Sequence, residues 1–479
     1  RKLAQFHFIT VTPYSRKAPP VQQAAHPPAD STRESPRSVY IPTMPSRLSS
    51  PVSRRHFVAA ASAAMAALPL GCRRQPTAAK ARPTSWILTP LATAPDWSRL
   101  TPWHGTLTRE EFTSLIDSVL THKPGAWFTH LQIRPGEALI RTASREAGTG
   151  YTHVFPFASR STPSPAAARF WRRAEDLPPV SPTRPLDGVR IAIDPGHLGG
   201  PWATMEQRSF QHRDSPPIRE GDLTLTTAQL LKPRLENLGA SVFLVRDSSS
   251  PLTPLRPAEL VTAARQSLAA EARTSTETEV IREAERLFYR TAEIRARGHR
   301  VNAELHPDFV VCLHFNADSW GNPSSPTLAT TNHLHLIAHG CLLPGELTLD
   351  DQRLESLLRI VQRIPDTEIP LGSAVARSMA AATGLPPFHY SGDSAREAPG
   401  EPYLWLRNLL ATRVYECPVI FLEPYVMNHP EVIDRIAAGD YEGMRNTAGR
   451  SMPSIFREYA DGVITGIADY FRSRRPMLA

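Results

Sequence analysis

Two histidines and two glutamates of the 479-residue chain stand where chemistry would need them, at the ends of short apolar runs. His197 follows "IAID" in "IAIDPGHLGG", His314 sits within "VVCLHFN", and Glu423 closes "PVIFLE". Glu220 stands just before a helical stretch that begins near Asp222. A buried strand that sets His or Glu against its own apolar run incurs a desolvation cost unless something binds the side chain. Two imidazoles and one carboxylate are a usual ligand set for a catalytic zinc with a position left open for water, and a remaining carboxylate is then free to act as a general base. Each residue alone has a plainer explanation. A strand-end His can be a satisfied hydrogen-bonding group, Glu220 can simply favour a helix N-terminus, and Glu423 can be an ion-pair partner.

The elements that must position these residues begin at Val189. "VRIAID" predicts a strand, "DLTLTTAQLLKPRLENLGA" an amphipathic helix closed by Gly239, and "SVFLVRD" the next strand. "AERLFYRTAEIRARGHRVNAEL" predicts a helix, "DFVVCLHFNA" a strand, "SAVARSMAAATG" a helix and "CPVIFLEPY" another strand. Short apolar runs alternating with helices predict an α/β domain, an open twisted, mostly parallel sheet with helices on both faces. In such sheets the ligand site lies beyond the C-terminal ends of the strands, where His197, His314 and Glu423 fall.

At this point the chain resembles the zinc-dependent N-acetylmuramoyl-L-alanine amidases of the type-3 kind, which cut peptidoglycan. Their strand followed by D-P-G-H-G-G appears as Asp194-Pro195-Gly196-His197-Leu198-Gly199-Gly200, with Leu198 inserted. Their Glu that opens a helix leading to a G-x-x-V-x-x-x-R-D strand appears as "EGDLTLTTAQLLKPRLENLGASVFLVRD". Arg297, Asn302 and "CLHFNA", which carries His314 and Asn316, match R-x-x-x-x-N followed by S-x-H-x-N, with Cys312 in place of Ser. Pro418 to Glu423, followed by Asn428, match the last motif. The resemblance covers roughly residues 188–475. It implies one zinc held by His197, Glu220 and His314, with Glu423 as the catalytic carboxylate. It also implies hydrolysis of the amide between the lactyl group of N-acetylmuramic acid and L-alanine, with peptidoglycan or muropeptides as partners and room for an activator protein. Arg297, Asn302, Asn316 and Arg413 fall on positions that would support the site. The alternatives are a zinc hydrolase of another envelope amide and a catalytically silent wall-binding module.

The segment between His197 and Glu220 is longer than the family pattern, so Glu206 is a rival carboxylate ligand. Glu220 is preferred because it keeps its place before the helix, and His212 in that segment is read as surface or substrate-lining. A charged helical insert occupies about 250–290; it is either a cover that regulates the cleft or a solvated helix at the domain edge. His333 and His335 share one face of a strand, and lining a groove is a better reading for them than a second metal site.

Usage of 41% hydrophobic and 21% charged residues is ordinary for globular domains and excludes a predominantly disordered chain. The net charge of +8 belongs to residues 1–83, which hold 13 Lys and Arg against 2 Asp and Glu. The remainder carries 41 against 44, which argues against a nucleic-acid partner. "SRRHF", the Ala-rich run Phe57 to Leu70, and Gly71-Cys72 form a twin-arginine-like export signal. The run is too short to span a bilayer, so membrane attachment would come only through lipid on Cys72. The expected location is the periplasm or cell envelope. Residues 1–43, before Met44, are read as a disordered or tag-like leader. Residues 1–83 thus form leader, signal and tether; 84–184 a small α+β domain of unknown role, with a capping box at Thr108 and Glu111 and a hairpin around "RPGE"; and 185–479 the amidase-like domain. Cys312 and Cys417 are expected to be buried as small apolar residues.

Overall fold

A computed structural model of the chain describes residues 86–142, 151–161, 169–270, 274–476 and 478. The export signal and Cys72 lie outside the described residues. Among those described, no helix is long and apolar enough to cross a membrane.

The chain first forms helix α1 (Arg109–Leu115), started by the capping box: Thr108 Oγ1 accepts from the Glu111 amide at 3.2 Å, and Glu111 Oε2 accepts from the Thr108 amide at 2.9 Å. Strands β1 (Leu131–Ile133), β2 (Glu137–Arg141) and β3 (Tyr151–Pro156) follow as an antiparallel sheet, with "RPGE" as the β1–β2 turn. Next come β4 (Arg190–Pro195), the short hairpin β5 (Ser209–Phe210) and β6 (Ile218–Arg219), α2 (Glu220–Asn237) and β7 (Ser241–Leu244). Helices α3 (Val261–Ala270), α4 (Glu277–Leu287) and α5 (Glu293–Arg300) lead to β8 (Phe309–Leu313) and β9 (Leu334–Ala338). Helices α6 (Pro344–Leu347), α7 (Asp350–Val361) and α8 (Pro365–Thr383) precede β10 (Ala395–Ala398) and β11 (Glu401–Arg407). The chain ends with α9 (Leu410–Val414), β12 (Val419–Pro424), α10 (Pro430–Ala437), the hairpin β13 (Arg445–Thr447) and β14 (Arg450–Met452), and α11 (Ile455–Arg474).

Seven strands form the main sheet in the order β10-β11-β9-β12-β8-β4-β7. The run β12-β8-β4-β7 is parallel, as the alternation of apolar runs and helices predicts. Strand β9 runs antiparallel to β12, and β11 is parallel to β9. The central strands are buried on both faces because alternate residues point to opposite sides. Ile191, Val311 and Leu422 enter one core with residues of α2, α8 and α11, whereas Ala192, Val310 and Phe421 enter another with Trp171 and Tyr415. The residues expected to form a small accessory domain share their core with α7: Phe112, Leu131, Ile140 and Phe155 pack with Leu354 and Leu357. Cys312, Cys341 and Cys417 are buried free thiols.

Candidate active site

The site is built on the turn after β4. His197 sits at φ +56°, in the left-handed region that a non-glycine residue occupies only when its surroundings enforce it. Glycines on either side let other groups approach. A Cβ added at Gly196 would stand 2.3 Å from His314 Cε1, so the imidazole of His314 lies where only glycine leaves room. Gly199 (φ +73°) and Gly221 touch backbone to backbone: a Cβ on Gly221 would stand 2.2 Å from the Gly199 nitrogen. The β4 turn is thereby pressed against the first turn of α2, which brings His197 to Glu220. The long segment between them folds back on itself through β5 and β6, and the Glu220 amide donates to the Arg208 carbonyl at 3.1 Å.

Two buried guanidiniums fix this turn through main-chain oxygens. Arg246 donates to the carbonyls of Pro195 (2.8 Å), Gly196 (3.0 Å) and Gly221 (2.8 Å). Arg297 donates to Asp194 Oδ1, the Pro195 carbonyl and the His197 carbonyl, and to Glu293 Oε1, each at 2.9 Å. The second oxygen of Asp194 accepts from the Tyr415 hydroxyl at 2.5 Å.

Among the described residues, one group of at least three metal-ligating side chains converges: one ligand atom from each of His197, Glu220 and His314 lies within 4.8 Å of the others. Glu220 Oε2 is 3.2 Å from His197 Nε2, and Glu220 Oε1 is 3.1 Å from His314 Nδ1. The two oxygens of Glu220 thus face one imidazole each, and two imidazoles with one carboxylate are a donor set that suits zinc. Glu206 is placed behind the histidine rather than in the ligand group. Its Oε1 is 3.5 Å from His197 Nδ1, and its carboxylate accepts from the amides of Leu198 and Gly199 at 3.0–3.2 Å. That is the arrangement by which an outer carboxylate fixes the tautomer of a metal-binding imidazole. The His314 ring stacks on Phe421 with 4.4 Å between centroids. Its carbonyl accepts from the Tyr459 hydroxyl at 3.2 Å.

A Gly196→Ala substitution is expected to displace the His314 ring and weaken metal binding by about ten-fold or more, read by competition with a chromogenic chelator.

Charge in the site is balanced internally. Burial opposes protonation of His197, but Glu220 and Glu206 override it and hold the pKa up at about 9. Burial opposes ionisation of Glu220, yet His197, His314 and Arg208 keep its carboxyl well below the usual range. Glu206 is likewise lowered, against burial, by His197 and the amides of Leu198 and Gly199. Burial pushes the Glu423 carboxyl up, with Glu220 adding to the rise and His314 opposing it. Because His197 gains proton affinity on folding, its ion pair stabilises the metal-free protein fully below its unfolded pKa of about 6.5. That stability is lost as pH rises to about 9. The lowered carboxylates add stability above about pH 4.5 that is lost in acid. Chelator-treated protein should therefore lose thermal stability between pH 6.5 and 9, and His197→Gln should flatten that slope. A metal held by His197 would have to displace its proton, so apparent metal affinity should rise over the same interval.

No family model and no curated protein matches this chain. Several solved structures are similar to it. The apo N-acetylmuramyl-L-alanine amidase Ami1 from Mycobacterium abscessus is 15% identical, with 60% of this chain and 99% of that one covered and a TM-score of 0.32. The CwlD amidase from Clostridioides difficile, solved in complex with the GerS lipoprotein, is 11% identical, with 60% and 100% covered and a TM-score of 0.34. The amidase AmiC2 of Nostoc punctiforme is 14% identical, with 60% and 97% covered and a TM-score of 0.30. At such identities and scores, likeness alone does not say what this chain does.

The remaining residues singled out in the sequence fall at varied distances from His197, Glu220 and His314. Arg297 holds the carbonyl of His197 directly. Asn302 donates to the Val414 carbonyl at 2.8 Å and accepts from the Glu416 amide at 3.0 Å, tying the π-helical turn after α5 to the approach to β12. Arg413 pairs with Glu355 (2.6 Å) and Asn408 (2.5 Å) rather than with His197, Glu220 or His314. Asn316 reaches the ring of His333 at 3.4 Å. His333, just before β9, and His335 within it are both buried, and His335 Nε2 meets the Tyr390 hydroxyl at 2.8 Å. Glu423 is the register partner of His335 across the β12–β9 pair. Sequence reasoning gave no role to Arg246, Glu293 or Tyr415. Arg246 was visible as the R of the "VRD" strand end, whereas nothing local marks Tyr415.

Proposed function

We propose that this protein is an exported zinc amidase that hydrolyses the bond between the lactyl carbonyl of N-acetylmuramic acid and L-alanine in peptidoglycan. The observation that carries the reading is the meeting of His197, Glu220 and His314 within 4.8 Å beside a half-buried carboxylate, Glu423. Pairing of Leu422 with Leu313 in the β12–β8 register sets Glu423 next to His314. The choice of substrate rests on the order of the four sequence motifs, and export rests on the signal before Cys72.

His197, Glu220 and His314 would hold the ion, and Glu206 and Arg297 would keep His197 aimed at it. A bound zinc supplies Lewis-acid polarisation of the amide carbonyl and a more acidic water. Glu423 takes the proton from the attacking water and returns it to the alanine nitrogen as the C–N bond breaks. Burial raises the proton affinity of Glu423, which favours its taking up the proton it must pass on. An amide nitrogen leaves poorly unless protonated, so carbonyl polarisation alone does not suffice.

The test is metal analysis of the purified protein together with assay after chelation. About one zinc per chain, with activity lost on its removal and restored on its return, is the expected result. Activity that survives complete metal removal overturns the reading.

A further inference from the structure

Leu198 interrupts the glycine-rich turn beside His197, and it is fully buried. Its side chain joins a cluster separate from the sheet cores, formed with Leu260, Leu268, Val280, Leu287 and Phe288. Those residues belong to α3, α4 and the turns that flank them, which together form the insert between β7 and α5. Trp202 and Met205, from the same segment as Glu206, pack on this cluster, with the Trp202 ring 5.3 Å from that of Phe288. The insert thus encloses the residue next to a metal ligand.

The main chain of Leu198 completes the link. Its amide donates to both oxygens of Glu206 at 3.0 Å, and Glu206 in turn faces His197 Nδ1. From the other side, α5 follows the insert through the π-helical turn Phe288–Ala292, and its Arg297 donates to the His197 carbonyl. His197 is therefore held in its left-handed conformation between two groups, both tied to the insert. Swinging the insert away as a lid would open the apolar cluster around Leu198 and Phe288 to water.

Building on the metal centre proposed above, we infer that Leu198 is a positioning residue that keys the α3–α4 insert to that centre, so that packing of the insert sets its metal affinity. Coupling of this kind is reciprocal, and metal binding must stabilise the insert to the same degree.

The test compares zinc affinity of the full chain, by chelator competition, in wild type, Leu198→Ala, Leu198→Met, Leu268→Ala and Leu371→Ala. Leu268 lies in the same cluster but touches no ligand, and Leu371 is a buried leucine of the sheet core. Loss of an outer-shell support costs roughly 10- to 100-fold in metal affinity. Leu198→Ala should weaken zinc binding by about ten-fold or more and Leu268→Ala by about three-fold. Leu198→Met should bind as wild type does, and Leu371→Ala should leave the affinity unchanged. Zinc should also slow amide hydrogen exchange in α3 (261–270) and α4 (277–287) in wild type, and this protection should shrink in Leu268→Ala. Should Leu198→Ala fail to fold, the Leu268 and Leu371 variants decide the matter. Wild-type affinity in Leu268→Ala, or an equal loss in Leu371→Ala, overturns the coupling. A wild-type chain that takes up no zinc overturns the metal-centre reading beneath it.

Discussion

Glu423→Gln is expected to lower the rate of amide hydrolysis by about 10³-fold while the protein keeps its metal. The amide side chain has nearly the shape of the carboxylate but cannot accept a proton, and positioned general acid–base groups contribute about 10²–10⁴-fold. Glu423 lies outside the His197–Glu220–His314 group, so its replacement removes no ligand. It also removes a half-buried carboxyl whose ionisation desolvation already disfavours, so the fold should tolerate it. Turnover on purified peptidoglycan and zinc content measured on the same preparation check the two halves. Loss of zinc would make Glu423 a ligand, and undiminished turnover would take it out of the chemistry.

The second large effect separates two glutamates that compete for one role in the sequence. Glu220→Ala removes the carboxylate that faces both imidazoles, at 3.2 Å from His197 and 3.1 Å from His314. Two imidazoles alone make a poor zinc site, and affinity should fall by about 10³-fold or more, with activity lost as well. Glu206→Ala leaves His197, Glu220 and His314 in place and frees His197 Nδ1, so affinity should fall only by about 10- to 100-fold. It should also lower stability, because the buried amides of Leu198 and Gly199 lose their acceptor at a cost of about 1–3 kcal/mol each. Isothermal titration of both variants with zinc, beside thermal melts of the metal-free proteins, reads the two effects. The reverse order of affinities would make Glu206 the ligand.

The reactive residues were legible because each breaks a local pattern. His197, His314 and Glu423 stand against apolar runs that read as strands, and those strands, β4, β8 and β12, are neighbours in the sheet. The α1 capping box and the β1–β2 hairpin were legible for a similar reason, since both are fixed by residues three to five apart. What the sequence hid depends on distant partners. The reversed direction of β9 is set by its pairing with β12, more than 80 residues later, and no local feature of "LHLIA" encodes it. The strands β10 and β11 went unread because "AREA" and "EPYLWLR" mix charged and apolar residues at an irregular edge. Arg246 and Arg297 act largely on main-chain carbonyls, which no pattern of side chains marks. Leu198 reads as an interruption of a motif until its neighbours from α3 and α4 are seen around it.

The central claim is the bond that is cut, and mass analysis of purified peptidoglycan digested with the zinc-loaded protein tests it most directly. A lactyl–alanine amidase releases peptides that begin with a free L-alanine amine and leaves glycan strands with bare lactyl carboxyls, and both products form about 10³-fold more slowly with Glu423→Gln. Stem peptides still joined to muramic acid after digestion by a zinc-loaded sample, or cleavage only within the peptides, would contradict it.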